Sequence, residues 1–456
     1  VVRIDVLPDD VLLEVFDFYM NMIPPLGDKT EIEAWQLLVH VCRRWRSLVF
    51  ESPRRLDLQL VCTPKTPAKD TLDVWPALPL LIKGRVTLAS GTNDIIAALG
   101  QSNRVCQVIL SGLTDRPLEK VLAVMRVAFP ELTELRLFSD GETPLAAPDS
   151  FLGGSAPHLR IFQLDGVPFP RLPKLLLSAT HLVYLYLSNI PHSGYISPEA
   201  MAALLSVLSS LEELLLRFKS PQSRPDWESR HPSPPKHFVI STLGYFVFKG
   251  VIEYLEDLVT YIDAPQLRYL NITFFNQIDF DCPRLARFIS RTPILADCDA
   301  HVEFDDNTAS VRLPSLKDFA IEISCREPDW QLSSIAQVCN SCLPFLSRVE
   351  DLFVEDQYSQ LVWKNDAIEN TLWLELLLPF PAVKNIYLSK DFAPGVAAAL
   401  QEIVGTEVLP SLQNIFVEGL EPSGPFQENI GQFVTTRRLS GHPISFFVWD
   451  GYSMSM

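Results

Sequence analysis

No stretch of this 456-residue chain approaches the roughly 20 consecutive apolar residues of a membrane-spanning helix. The candidate His237 to Phe248 is uncharged but too short to span and reads as one strand. The eight cysteines lack the dense spacing of a disulfide-stapled secreted domain, which points to a reduced cytoplasmic or nuclear setting. No signal peptide is read. The chain starts Val1-Val2 without an initiator Met, so any address carried upstream lies outside it. Motifs that carry chemistry are missing too: there is no G-x-S-x-G elbow, no G-x-x-x-x-G-K-[ST] phosphate loop and no H-E-x-x-H zinc helix. The eight histidines are scattered, and none accompanies a nucleophile. Cys339-Asn340-Ser341-Cys342 is a lone C-x-x-C; structural zinc takes four ligands, so the pair is read as half-buried helical thiols. Catalytic residues, metal and cofactor are therefore expected to be absent, and the chain is not read as an enzyme. Positive charge is also short, with 38 Lys and Arg against 55 Asp and Glu and a net −17, the wrong sign for nucleic acid.

What the chain does contain is one spacing repeated along its length: apolar residues at offsets 0, +3 and +5. It appears as Leu132, Leu135, Leu137; Leu182, Leu185, Leu187; Leu267, Leu270, Ile272; and Leu316, Phe319, Ile321. Val349, Leu352, Val354; Val383, Ile386, Leu388; and Leu412, Ile415, Val417 continue it. Such a triplet suits a short strand entered from a bend, with two alternating residues inward and the one between them outward. A unit this short cannot bury its own apolar side, so neighbours must stack. Anchors fall at Val105, Leu132, Leu159, Leu182, Leu211, Leu243, Leu267, Leu295, Leu316, Val349, Val383 and Leu412. Most steps approach the 20–29 residues usual for leucine-rich repeats. At Leu295, Leu295-Ala296-Asp297-Cys298 breaks the pattern, and the consensus Asn of the regular repeat is mostly absent. The expected fold is α/β: an irregular leucine-rich-repeat solenoid over residues 56–456, with parallel strands on a concave side and helices or loops on the convex side. A Pro/Ser-rich stretch at 219–236 reads as an exposed loop, its Ser233 open either as a kinase site or as plain solvated loop. Residues 427–456, a last helix and the strand Ile444 to Trp449, read as a closing cap. Asn271-Ile272-Thr273 is a formal glycosylation sequon inside a strand, expected to be idle.

Residues 1–55 read as a small all-helical domain. Pro8, Asp9 and Asp10 suit a helix start, and Leu12, Val15, Phe16 and Tyr19 recur at helical spacing. A second helix is expected from Glu33 to Leu48, with Leu38, Val41, Cys42, Trp45 and Leu48 on one stripe. Leu7-Pro8 before an amphipathic helix, then Val41-Cys42-Arg43-Arg44-Trp45 and Leu48, resembles an F-box. The remainder resembles the large F-box family of mushroom-forming fungi. Phe248-Lys249-Gly250 with Glu253 to Leu258, Ile272 to Gln277, and Trp330-Gln331-Leu332-Ser333-Ser334 carry that likeness. The stretch Asn21 to Glu33 is longer than the usual connection.

The resemblance implies that the chain is a substrate receptor of an SCF-type (Skp1–cullin–RING) ubiquitin ligase. Leu7, Pro8, Leu12, Val15, Phe16, Val41, Cys42, Trp45 and Leu48 would then dock the Skp1 adaptor. Between His40 and Arg55 five Arg stand against Glu51, a net +4 that would suit an acidic adaptor. The alternative is a helical cap that seals the first repeat, on a non-catalytic interaction scaffold attached to no ligase.

Outward positions, at offsets +4 and +6, nominate a target surface: Arg136, Tyr186, Arg217, Phe353, Glu355, Tyr387, Phe416 and Glu418. From His301 to Glu421 there are 19 acidic and seven basic residues, net −12, so the late repeats combine aromatics with carboxylates. That suits an unknown target protein of basic character and opposes nucleic acid; no membrane partner is expected. The competing reading is acidity that merely keeps a long surface soluble.

Overall fold

The computed structural model describes residues 6–22, 34–86, 89–141, 145–222, 237–277, 279–292, 299–313, 319–356, 369–402, 408–419, 425–439 and 441–449. The chain forms two compact units, Val1–Tyr195 and Ile196–Met456. The first begins with helices α1 (Asp9–Met22), α2 (Ala34–Val39) and α3 (Arg43–Glu51). There follow β1 (Leu60–Cys62), α4 (Ala68–Val74), β2 (Leu80–Arg85), α5 (Ala89–Leu99), β3 (Val105–Leu113) and α6 (Asp115–Val124). The unit closes with β4 (Glu134–Ser139), β5 (Ile161–Asp165), α7 (Leu172–Leu176) and β6 (Tyr184–Ile190). Strands β1 to β6 pair in sequence order, and every pair is parallel. The inward residues meet in register, as Leu135 with Phe162 and Phe162 with Leu185.

The recurring spacing has a backbone cause. The residue after each anchor donates its N–H to the matching carbonyl one repeat back: Thr133 to Cys106, Arg160 to Thr133, and Val183 to Arg160, each at 2.8 Å. This bond fixes the bend and so sets the +3 and +5 residues facing the core. Leu132, Leu159 and Leu182 are buried accordingly. Strands β1 and β2 precede the first anchor and were not anticipated. Their inward residues are Leu60 and Cys62, then Leu80 and Ile82, but the anchor position is the charged Asp57 before β1 and the small, exposed Ala77 before β2.

The second unit holds α8 (Pro198–Leu205), β7 (Glu213–Phe218), β8 (Phe238–Val239), β9 (Tyr245–Gly250), α9 (Ile252–Val259), β10 (Ile262–Asp263) and β11 (Tyr269–Phe275). Next come α10 (Pro283–Ser290), β12 (Asp299–Phe304), β13 (Thr308–Leu313), β14 (Phe319–Ser324), α11 (Pro328–Cys342) and β15 (Asp351–Asp356). It ends with α12 (Asn370–Leu377), β16 (Asn385–Leu388), α13 (Ala393–Glu402), β17 (Asn414–Glu418), α14 (Pro425–Leu439) and β18 (Ser445–Trp449). Its main sheet runs β7-β9-β11-β14-β13-β12-β15-β16-β17-β18, while β8 and β10 form a separate parallel pair. The backbone bond repeats here, from Gly244 to Glu212, Arg268 to Gly244, Lys384 to Glu350, Gln413 to Lys384 and Ser445 to Gln413.

Three expectations need correction. Between the anchors read at Leu295 and Leu316 one strand runs the other way: β13 is antiparallel to both β12 and β14, so β14 rather than β12 neighbours β11. Asp305 closes that hairpin, accepting from the N–H groups of Asn307 and Thr308 at 2.7 Å each. Leu295 and Leu316 themselves fall outside the described residues, as do 223–236 with Ser233. The continuous helix expected from Glu33 to Leu48 is instead broken at His40–Cys42 into α2 and α3; Cys42 is extended, with φ −158° and ψ 169°. Finally, the thiols of the C-x-x-C are wholly buried rather than half-buried, and Cys342 is disulfide-bonded to Cys282 on the edge of α10. Burial pushes the remaining Cys339 thiol far up. Helix α14 and strand β18 stand where a closing cap was read.

Candidate functional site

Two surfaces concentrate side chains that a folded core does not require. The first is on the N-terminal helices. Leu12, Leu13 and Phe16 of α1, Trp35, Leu38 and Val39 of α2, and Leu48 and Val49 of α3 are buried together. Phe16 meets Trp45 at 4.7 Å between ring centroids. Arg44 joins the two halves of the motif: its Nη2 donates to the Leu7 carbonyl at 2.6 Å, and its Nε donates to Asp9 at 3.1 Å. Trp35 donates its Nε1–H to the Gln59 carbonyl at 3.0 Å and packs edge-on to Trp75 at 5.1 Å, which ties the helices to the entry of β1.

Outside that core lies a stripe of exposed apolar residues. Val11, Val15, Phe18, Tyr19 and Met22 run along α1 at helical spacing, with Leu37 and Val41 at α2 and its break. With Val6 they make eight of the 19 large hydrophobic side chains exposed among the described residues, all before residue 42. Scattered exposed hydrophobics need no explanation, but a stripe of them does. The nominated docking residues therefore divide. Leu12, Phe16 and Leu48 are core, Leu7 and Trp45 are half-buried, and Pro8, Val15, Val41 and Cys42 face solvent. The basic cluster is weaker than its count: Arg44 pairs with Asp9 and Arg55 with Glu14.

The second surface is a registered row of rings on the outward side of β12, β15, β16, β17 and β18; its central rings, Phe353 and Tyr387, are only 9% and 8% exposed, His301 and Phe416 are half-buried, and Phe447 is exposed. Parallel pairing aligns His301 with Phe353, Phe353 with Tyr387, Tyr387 with Phe416, and Phe416 with Phe447. Centroids lie 4.3, 4.2, 4.5 and 5.1 Å apart, and neighbouring planes tilt by only 7°, 7°, 9° and 18°. Strands about 4.8 Å apart bring rings at matched positions into this stack. Two residues before the rings runs a polar row in which Asn414 donates to Asn385 at 2.7 Å and Asn385 donates to Asp351 at 2.6 Å. Asp299 is level with Asp351. On the other side lie Glu303, Glu355 and Glu418. Burial raises the Tyr387 phenol, and the nearby carboxylates of Asp351 and Asp299 push it in the same direction.

His301, Glu303 and Glu355 bring ligand atoms within 4.8 Å of one another. His301 Nδ1 lies 3.2 Å from Glu355. Glu303 is buried, and burial raises its carboxyl against the opposing charges of Arg312 and His301. Arg312 Nε approaches Glu303 Oε2 to 3.2 Å as an ion pair, its N–H not aimed at that oxygen. A divalent ion would meet this guanidinium, so the cluster is compensated by an internal cation rather than arranged for a metal.

Of the nominated target residues, Phe353, Tyr387, Phe416, Glu355 and Glu418 come together on this one surface. Arg217 is exposed on β7 of the same unit, whereas Arg136 and Tyr186 belong to β4 and β6 of the first unit and form no part of it. His301 and Phe447 were missed. Neither follows an anchor triplet, and only strand register reveals them.

No protein-family model matches the chain, and no curated protein does. Among solved structures, the Rad7–Elc1 complex of yeast aligns over 90% of this chain and 88% of the other at 14% identity, with a TM-score of 0.30. The leucine-rich-repeat protein LegL7 of Legionella pneumophila aligns over 84% and 98%, also at 14% identity, with a TM-score of 0.26. Scores this low carry no weight for the function of this chain.

Proposed function

We propose that this chain is a non-enzymatic recognition subunit of cytoplasm or nucleus. Its N-terminal helices dock a Skp1-type adaptor of a cullin–RING ubiquitin ligase, and its stacked strands hold a target protein. The observation that carries the reading is the exposed stripe of Val11, Val15, Phe18, Tyr19, Met22, Leu37 and Val41 beside a core already complete without it. An apolar helix face of this kind is covered by a partner helix or groove. No chemistry is asked of the subunit. Tethering the target beside the ligase's catalytic components raises their effective concentration.

The test is capture of purified Skp1 by the full chain. Val15→Asp with Val41→Asp replaces exposed side chains, so thermal stability stays within about 0.5 kcal/mol while capture is lost. Leu7→Ala with Pro8→Ala has the same effect on capture. Cys42, exposed in the free chain, reacts with a maleimide and becomes protected when the adaptor is bound. Wild type that captures no adaptor, or the Val pair retaining full capture, sinks the assignment. A second reading, a cap on an unattached scaffold, draws on the Trp35–Gln59 bond and the Trp35–Trp75 contact, which a cap requires as well.

A further inference from the structure

The row of rings narrows the class of target, on the premise just given that the strands of residues 196–456 hold one. We propose that the outward side of β12 and β15 to β18 binds an extended polypeptide segment carrying several lysine or arginine side chains. The aromatic row receives their aliphatic stems, and the flanking carboxylates receive their charged heads.

Because the rings stack face to face, they present a rail of edges, narrow at Phe353 and Tyr387 and wider towards Phe416 and Phe447, rather than separate faces for single cations. Across four strand spacings the rail runs roughly 19 Å, room for about six extended residues. Lysine and arginine match it because their stems are apolar and their heads are not. The heads find acid on both sides. Asp299 and Asp351 lie two residues before the rail; Glu355 and Glu418 lie two residues after it, and Glu303, level with Glu355, is buried and already paired with Arg312. Two residues along a strand is roughly 6.6 Å, within reach of either head group from above the rings. The outward positions of these five strands carry four accessible carboxylates, Asp299, Asp351, Glu355 and Glu418, and neither lysine nor arginine. Arg312 on β13 is engaged with Glu303 at 3.2 Å and Glu322 at 3.7 Å. A polyanion is refused by sign, and a small cation would leave the rail unused.

Binding is measured by fluorescence anisotropy of two labelled 12-residue peptides on the full chain. One alternates lysine or arginine with serine and glycine; the other carries glutamate at the basic positions. The basic peptide binds, weakens as NaCl rises from about 0.05 to about 0.5 M, and leaves the acidic one behind. Glu355→Gln with Glu418→Gln keeps the shape of two half-exposed side chains and removes two charges. It lowers affinity about tenfold while leaving the melting temperature in place. Equal binding of the two peptides, or unchanged affinity in the double variant, overturns the proposal. So does a melting temperature that rises with Zn2+ alone while the peptide fails to bind. Skp1 capture on the same preparations separates the two readings. Peptide binding without capture removes the ligase and leaves this site standing. Capture without peptide binding removes this site alone.

Discussion

Gln331 offers the sharpest test of how the second unit is held. It is fully buried near the start of α11, and its Nε2 donates to two backbone carbonyls. One is that of Asp305 in the β12–β13 turn at 2.9 Å, and the other is that of Cys325 just beyond β14 at 2.7 Å. A single amide therefore ties the reversed hairpin, the strand exit and the helix together. Gln331→Leu keeps most of the volume and removes both donors. Each carbonyl left buried without its donor costs about 1–3 kcal/mol. The apolar side chain returns about 1 kcal/mol of that. The net loss is about 1–5 kcal/mol, a fall of roughly 2–20 °C in the melting of a unit this size.

Gln331→Glu sharpens the test by giving it a pH signature. A carboxylate aimed at two carbonyl oxygens is worse than leucine, and burial raises its folded pKa above the unfolded value near 4.3. The whole penalty is present above the folded pKa. It is relieved as pH falls through that value, because a protonated carboxyl donates one O–H back. Urea unfolding followed by tryptophan fluorescence at several pH values measures both variants. The gap between Gln331→Glu and wild type narrows towards acid, whereas the Gln331→Leu gap stays level. A Leu variant costing under about 0.5 kcal/mol, or a Glu variant whose gap ignores pH, refutes the reasoning.

Reduction with dithiothreitol, or Cys282→Ser, opens a loop of 60 residues and lowers stability by about 4 kcal/mol; melting curves with and without reductant decide it. Gly395→Ala in α13 drives a Cβ to 2.6 Å from Trp373 Nε1 and costs about 1–3 kcal/mol, whereas Gly431→Ala in α14 meets open space and gains up to about 1 kcal/mol of helix preference. Identical shifts at these two glycines in thermal scans would contradict the packing described around Trp373. Arg312→Ala removes a cation that opposes the burial of Glu303, so that carboxyl rises further. A raised folded pKa gives stability at low pH that is lost as pH rises through it, so this variant's deficit is larger at pH 8 than at pH 5.

How much of this was legible in the sequence depends on what periodicity measures. The triplet at Leu132, Leu135 and Leu137 reports a bend and an alternation, and both are where it placed them. Periodicity has no sign of direction, however. His301, Glu303, Ser310 and Arg312 alternate as well in an antiparallel hairpin as in a parallel stack, so β13 was invisible apart from the Asp305-Asp306-Asn307 turn between its arms. Offsets from the anchors found three rings of the row, Phe353, Tyr387 and Phe416. Its two ends, His301 and Phe447, needed the register of strands whose own anchors are degenerate.

The N-terminal helices show the complementary limit. Spacing places Leu12, Val15, Phe16, Val41, Trp45 and Leu48 in one apolar set, and a single amphipathic helix from Glu33 would have buried them as one stripe. The break at His40–Cys42 prevents this. By ending α2 at Val39 and restarting at Arg43, the chain buries Leu48 and Val49, sets Trp45 against Phe16, and leaves Val41 and Cys42 outside. Arg44 holds the Leu7 carbonyl and Asp9 to the restarted helix, so the break is braced rather than loose. Val15, Phe18 and Met22 stay exposed beside that core, so the Val15→Asp and Val41→Asp capture test is what separates a docking face from a cap. The apolar set is thus divided between buried and exposed positions by a kink of three residues, which composition and spacing leave unseen.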